Sequence, residues 1–303
     1  MASAESVLDI DISSIDSRTH LFFDDKHQFI AAVNDAITAA GIPLIAMHCP
    51  PGQVELYDES GSKIEIPNIK KYSLKKGLAA KGLFRDFLWS ITEPAIGNGI
   101  TIPMIQQIID FETNSSNPKV RVYFFDFDML LSQIEAISFA FGDRKVEGDI
   151  SRLIPDYAKY IFSDYIREEP ANGRLTLLKR MFREIGPERV YIVTSNNIAN
   201  AQIVNKKTQA LDTNPYKRYF LELIRELLPS FAEDHLICTY SKNIPPLFNN
   251  KGDAIVQILT HLRSRSSLGM GGFSHRSQSI GKVRRMSKKK YGIRKLSRRL
   301  KMK

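Results

Sequence analysis

The sequence predicts an α/β fold built on a parallel sheet, and three observations carry that prediction. Short apolar runs of strand length alternate with segments whose apolar residues recur at helical spacing. The first strand, helix and strand follow one another between Thr19 and His48, a βαβ unit that implies parallel pairing. The chain has 303 residues, 43% hydrophobic and 25% charged, which allows a sizeable core and excludes a wholly disordered or collagen-like protein.

The elements follow in order. Residues 1–18 are polar and rich in Ser and Asp, and are expected to be flexible. Leu21-Phe22-Phe23 is a strand ending in Asp24-Asp25. Phe29, Ile30, Val33 and Ile37 mark a helix that Gly41 caps, and Pro43 to His48 is a second buried strand. Residues 50–118 read as a connector with small elements of its own. These are a hairpin around Glu59-Ser60-Gly61, a helix from Tyr72 to Trp89 whose outer face carries Lys75, Lys76 and Lys81, and a helix beginning at Ile102. Val120 to Phe125 is a strand closing on Asp126-Phe127-Asp128. Residues 133–172 are mixed, with helical patches at Ile134 to Phe141 and Tyr157 to Tyr165. The helix from Leu175 to Ile185 stops at Gly186-Pro187. Val190 to Val193 is a strand leading to Thr194-Ser195-Asn196-Asn197. A helix from Tyr216 to Leu228, a strand from His235 to Thr239 and a helix opened by Lys251-Gly252-Asp253 complete the folded part, 19–263.

The formal charge of +10 does not describe that part. Residues 261–303 hold 15 Lys and Arg and no acid, which leaves 28 basic against 33 acidic residues before them, a body at −5. Residues 264–303 are expected to be disordered, a Gly- and Ser-rich tether followed by a basic block. Lys282, Arg284, Arg285, Lys288, Lys289, Lys290, Arg294, Lys295, Arg298 and Arg299 form that block, which suits polyanions such as nucleic acid, or nuclear targeting. The other reading is a solvated solubility tail. Such tails are also similar in composition to those on proteins of large DNA viruses. Two cysteines, Cys49 and Cys238, cannot build a disulfide framework and read as buried thiols of a reducing compartment. No apolar run reaches 18 residues and no secretory leader is visible, so the expectation is an intracellular protein, cytoplasmic or nuclear, with no membrane partner.

Candidate chemistry sits where strands end, the edge at which open parallel sheets bind ligands. Asp126 and Asp128 could supply a nucleophile and a proton donor with a cation between them; a solvated turn is the plain alternative. Thr194, with the backbone amides that follow it, could hold a phosphate oxygen, or simply cap a helix. Lys251 could neutralise phosphate charge, or be a solvated lysine.

These motifs resemble the haloacid dehalogenase superfamily of phosphatases. VYFFDFDMLLS resembles its first motif, VYIVTSNN its second and NNKGDAIVQIL its third. The fourth, an acidic strand end, is expected after Lys251, yet the last acid of the chain is Asp253. Leu21 to Ile30, with Asp24-Asp25, looks like that missing motif, so the resemblance implies a circular permutation in which the fourth motif comes first. The other possibility is that Asp24-Asp25 is an exposed turn and the motif is lost. The family usually has Gly-Thr where this chain has Met129-Leu130.

The resemblance implies a Rossmann-like sheet with helices on both faces and a small helical cap at 133–172. It implies a magnesium-dependent phosphatase, with Asp126 attacking phosphorus and Asp128 acting as acid and base. Thr194, Ser195 and Lys251 would hold the phosphoryl oxygens; Asp126, Asp128, Asp25 and Asp24 would form the Mg2+ site. A phosphorylated macromolecule, such as a nucleic-acid end, or a small ester would be the substrate. The competing expectation is an inert protein of the same fold that binds nucleic acid or builds a virion. A separation of about 6 Å or less between Asp24 or Asp25 and Asp126 would make a shared cation plausible.

Overall fold

The computed structural model describes residues 11–49, 56–57, 63–64, 99–114, 116–132, 151, 154–163, 171–196, 199–204, 208, 210–214, 216–239, 248 and 250–267. The expected helices at 72–89 and 134–141, most of the cap-like segment and the basic tail lie outside them.

Strand β1 (His20–Asp24) feeds helix α1 (His27–Ala40), which Gly41 ends at φ 60°, and β2 (Leu44–His48) comes next. A short hairpin, β3 (Leu56–Tyr57) and β4 (Lys63–Ile64), pairs antiparallel where a hairpin was expected. Helix α2 (Ile102–Thr113) is capped by the Thr101 hydroxyl, with Pro103 in its first turn. Then come β5 (Tyr123–Phe125), α3 (Ile154–Phe162), α4 (Arg174–Ile185) and β6 (Val190–Thr194). A second antiparallel hairpin, β7 (Gln202–Val204) and β8 (Leu211–Thr213), precedes α5 (Lys217–Leu227), β9 (Leu236–Cys238) and α6 (Lys251–Ser267).

Five strands form one sheet in the order β2-β1-β5-β6-β9, and every pairing is parallel. Strand alternation decides which helices cover which face. Phe23, Phe125 and Ile192 point to a core shared with α2, α3, α4 and α5. Phe22, Phe124, Tyr191 and Val193 point the other way, onto Ile30 and Val33 of α1 and Ile255 and Leu259 of α6. The result is three layers, helices over both faces of a sheet buried between them.

Two sequence expectations need correction, and one observed element had no expectation at all. Residues 11–18 belong to the fold rather than to a flexible lead: Ile12–Ser14 form a 3-10 turn, and Ile12 is fully buried. The backbone N–H of Ile12 donates to Gln107 of α2 at 3.1 Å, while buried Arg121 donates to the carbonyls of Ile15 and Asp16. At the other end, α6 runs on to Ser267, past the expected limit at 263. Residues 263–267 are Arg-Ser-Arg-Ser-Ser, with no apolar residue to mark the extension by its period. The hairpin β7–β8 had no sequence signal, since Leu211, Asp212 and Thr213 are all exposed and show no buried alternation. All described residues belong to one compact unit, 1–268.

The amino edge of the sheet carries a buried ion pair. Glu112 accepts from Arg189 at 2.6 and 3.0 Å and from the Tyr123 hydroxyl at 2.7 Å. Burial alone would raise its carboxyl, but the hydrogen bonds from Arg189 and Tyr123 win and hold it below the usual range.

Candidate active site

Three carboxylates converge at the opposite, carboxyl edge. Strand β1 pairs directly with β5, Phe23 beside Phe125, and the N–H of Asp126 donates to the Phe23 carbonyl at 2.9 Å. Both strands therefore release their acids at the same level. One oxygen from each of Asp24, Asp25 and Asp126 lies within 4.8 Å of the others, and all three residues are buried. That is inside the separation a shared cation requires.

Lys251 reaches the same point from α6. Its ammonium lies 2.6 Å from Asp24 Oδ2 and 2.9 Å from Asp126 Oδ1, over the Phe29 ring at 4.4 Å. Burial would lower its pKa, yet Asp126 and Asp24 together raise it, so the ammonium stays charged. The approach depends on Gly252. A Cβ there would stand 2.8 Å from the Ala32 carbonyl and 2.8 Å from the Ala36 methyl of α1. The start of α6 can thus sit against α1 only because position 252 has no side chain. Asn250 caps this helix, accepting the Asp253 N–H at 2.8 Å, while its own amide donates to the Asp253 carboxylate at 3.2 Å.

The charges do not balance. Three carboxylates face one buried ammonium, with the charge of exposed Lys26 acting on Asp25 as well, so negative charge is in excess at a buried site. Burial, then the charge on Asp126, pushes Asp24 up to about 7 and Asp25 up to about 6. The two acids are not equivalent. Asp24 is satisfied on both oxygens, by Lys251 and by the Lys26 N–H at 2.9 Å. Asp25 Oδ1 is buried with no hydrogen-bond partner among the described residues. A buried carboxylate oxygen left over in an anionic cluster suits a hard divalent cation, which takes oxygen ligands. These residues can hold a metal ion.

Asp128 stands apart from that trio. Its Oδ2 accepts from Asn196 Nδ2 at 2.7 Å, so its side chain is directed toward the β6 exit. Directly after Asp128, Met129 adopts φ 64°, a left-handed conformation costly for a residue with a Cβ. Gly99 packs under this turn, where a Cβ would come within 2.5 Å of Leu130 Cα and of the Met129 carbonyl. Thr194 is buried, and its hydroxyl accepts the Asn196 N–H at 3.1 Å, the local turn bond that the capping alternative described. Ser195 Oγ lies 3.5 Å from Thr239 Oγ1. Neither hydroxyl has a contact with the acidic trio among those described.

Sequence reading missed Asn196, Gly99 and Arg174, which shape this edge without being chemical themselves. Asn196 was visible inside the second motif; nothing local marked the other two. Cys49 is a buried thiol, pushed up to about 12 by burial and by Asp24 and Asp25. Cys238 is only partly buried, a correction to its expected burial, because β9 is the edge strand. No described helix is long and apolar enough to cross a membrane.

The chain matches no family model, no curated protein and no solved structure.

Proposed function

We propose that the chain is a circularly permuted protein of the haloacid dehalogenase type, a magnesium-dependent phosphatase that works through an aspartyl-phosphate. The observation that carries this reading is the meeting of Asp24 and Asp25, from the start of the chain, with Asp126 and with Lys251 from its far end. The strand order supports it, because β1 lies beside β5 although the connector 50–118 separates them in sequence. Met129, which stands where the family usually has glycine, adopts φ 64°, a conformation that glycine takes without strain.

Asp126 attacks the phosphorus with one carboxylate oxygen, and the ester P–O bond breaks. Asp128 gives its proton to the departing oxygen. In the second step Asp128 removes a proton from water, whose oxygen attacks the phosphorus, and Asp126 leaves as carboxylate with release of phosphate. Lys251 restrains Asp126 and offers positive charge to the phosphoryl oxygens, while Thr194 and Ser195 supply hydroxyls and amides. Asp25, Asp126 and Asp24 would hold the cation, which when bound would supply neutralisation of phosphoryl charge beside the attacking carboxylate. Phosphoryl transfer asks chiefly for such positioning and neutralisation.

The test is hydrolysis of an aryl phosphate by purified protein with magnesium. Wild type should turn over and Asp126→Asn should not. Turnover unchanged by that substitution would sink the reading.

A further inference from the structure

The loop that carries Asp128 is over-determined, and by polar groups. After Asp128 the chain turns sharply through the left-handed Met129. The N–H groups of Leu131 and Ser132 both donate to the Phe127 carbonyl, each at 3.0 Å, closing the turn. Its outward carbonyls are then taken one by one. Met129 accepts from the Gly99 N–H at 3.2 Å and Leu130 from the Ile100 N–H at 3.3 Å. The Arg174 guanidinium, at the first position of α4 and almost wholly buried, donates to the Leu130 carbonyl at 2.9 Å and to that of Leu131 at 2.8 Å. Its third bond, 3.1 Å to the Phe162 carbonyl, ties the same turn to the end of α3.

Burying a guanidinium is costly, and bonds from a charged donor are among the stronger ones in a protein. An aliphatic residue would fill this core position at less cost. What the guanidinium adds is a rigid planar fork, which one ammonium cannot reproduce. On the other side of Asp128, Asn196 holds the carboxylate itself at 2.7 Å and is in turn fixed by Thr194 Oγ1.

We propose that Arg174 and Asn196 are positioning residues that clamp Asp128 at two points, Arg174 through the backbone of its turn and Asn196 through its side chain. The proposal rests on the phosphatase reading above, in which Asp128 delivers the proton to the leaving oxygen. The strained Met129 persists because this clamp holds it. With either point released, the turn relaxes and the carboxyl is no longer aimed at the leaving oxygen.

Leaving-group dependence isolates this role. Full-length wild type, Arg174→Lys and Asn196→Ala are assayed with magnesium on phenyl phosphate, whose leaving oxygen needs a proton, and on 2,4-dinitrophenyl phosphate, whose leaving oxygen does not. In both variants kcat/KM should fall at least about tenfold on phenyl phosphate and stay within about threefold on the dinitrophenyl ester. Magnesium should still raise the melting temperature of both variants as it does in wild type, because Asp24, Asp25 and Asp126 are untouched. Equal losses on both esters, wild-type kinetics, or loss of the magnesium effect would each overturn the clamp. If wild type hydrolyses neither ester, the phosphatase reading fails by itself. Amide exchange at Leu131 and Ser132 then decides whether the turn is held: about tenfold faster exchange in Arg174→Lys supports the clamp, and unchanged exchange overturns it.

Discussion

Lys251 and Asp24 are 227 residues apart in sequence and 2.6 Å apart in the fold, joined by a hydrogen bond between buried partners. The pair closes the carboxyl edge of the sheet, since the same ammonium also reaches Asp126 at 2.9 Å. Removing it strips Asp24 and Asp126 of the ammonium that pairs with them. Lys251→Met should cost about 3 kcal/mol at pH 7.5, the scale for breaking a buried pair. The loss should shrink at pH 5, where the acids bind protons instead. Chemical denaturation at the two pH values checks this.

Asp25 sets a pH dependence of the opposite kind to an acid whose pKa is lowered by folding. Its folded pKa, about 6, lies above the unfolded value near 3.8. The native state therefore binds more protons in that interval, and stability falls as pH rises through it. Asp25→Asn should be more stable than metal-free wild type above pH 6, by roughly 2 kcal/mol. Magnesium should stabilise wild type at pH 7.5, lose that effect near pH 4, and do little for the variant. Thermal melts with magnesium and with EDTA provide the comparison.

The turn at Met129 gives two substitutions of opposite sign. Met129→Gly relieves a left-handed backbone worth about 1 kcal/mol, offset in part by the looser unfolded chain. It should hold or slightly raise the melting temperature. Gly99→Ala places a methyl within 2.5 Å of backbone and should destabilise the protein and depress turnover together.

Glu112 provides the control at the far edge. Glu112→Gln breaks its buried pair with Arg189 and should cost about 3 kcal/mol. At temperatures where the variant stays folded, kcat on an aryl phosphate should equal that of wild type.

The basic tail can be tested without disturbing α6, which ends at Ser267. The full chain should bind DNA with an affinity that falls steeply with salt, and deleting residues 270–303 should abolish that binding. Equal binding by the truncated protein, measured by fluorescence anisotropy, would place the affinity elsewhere.

Legible in the sequence was whatever repeats a period or ends one. Phe22-Phe23 before Asp24, Phe124-Phe125 before Asp126 and Val193 before Thr194 announced strands and their exits, and the sheet pairs those strands. Leu175 to Ile185 was readable to within a residue, because its apolar face and Gly186 both mark it. The acidic trio came from the order of motifs. The residues that stayed hidden have no local period. Ile12 is buried by α2, far along the chain, and Arg174 looks like any charged first-turn residue until its three carbonyl partners are in place. Gly99 and Gly252 matter through what a methyl would strike, which only the assembled fold reveals.

The strand order has a consequence for synthesis. Strand β1 leaves the ribosome early but sits between β2 and β5, so it must wait for the connector and β5 before its second edge is paired. Asp24, Asp25 and Asp126 can then converge while the lysine that balances them has yet to be translated. A nascent chain halted before residue 251 holds mutually repelling acids at an incomplete sheet edge, a state that favours staying open. Lys251 opens the last described helix, so the counter-charge to Asp24 and Asp126 is translated after both acids.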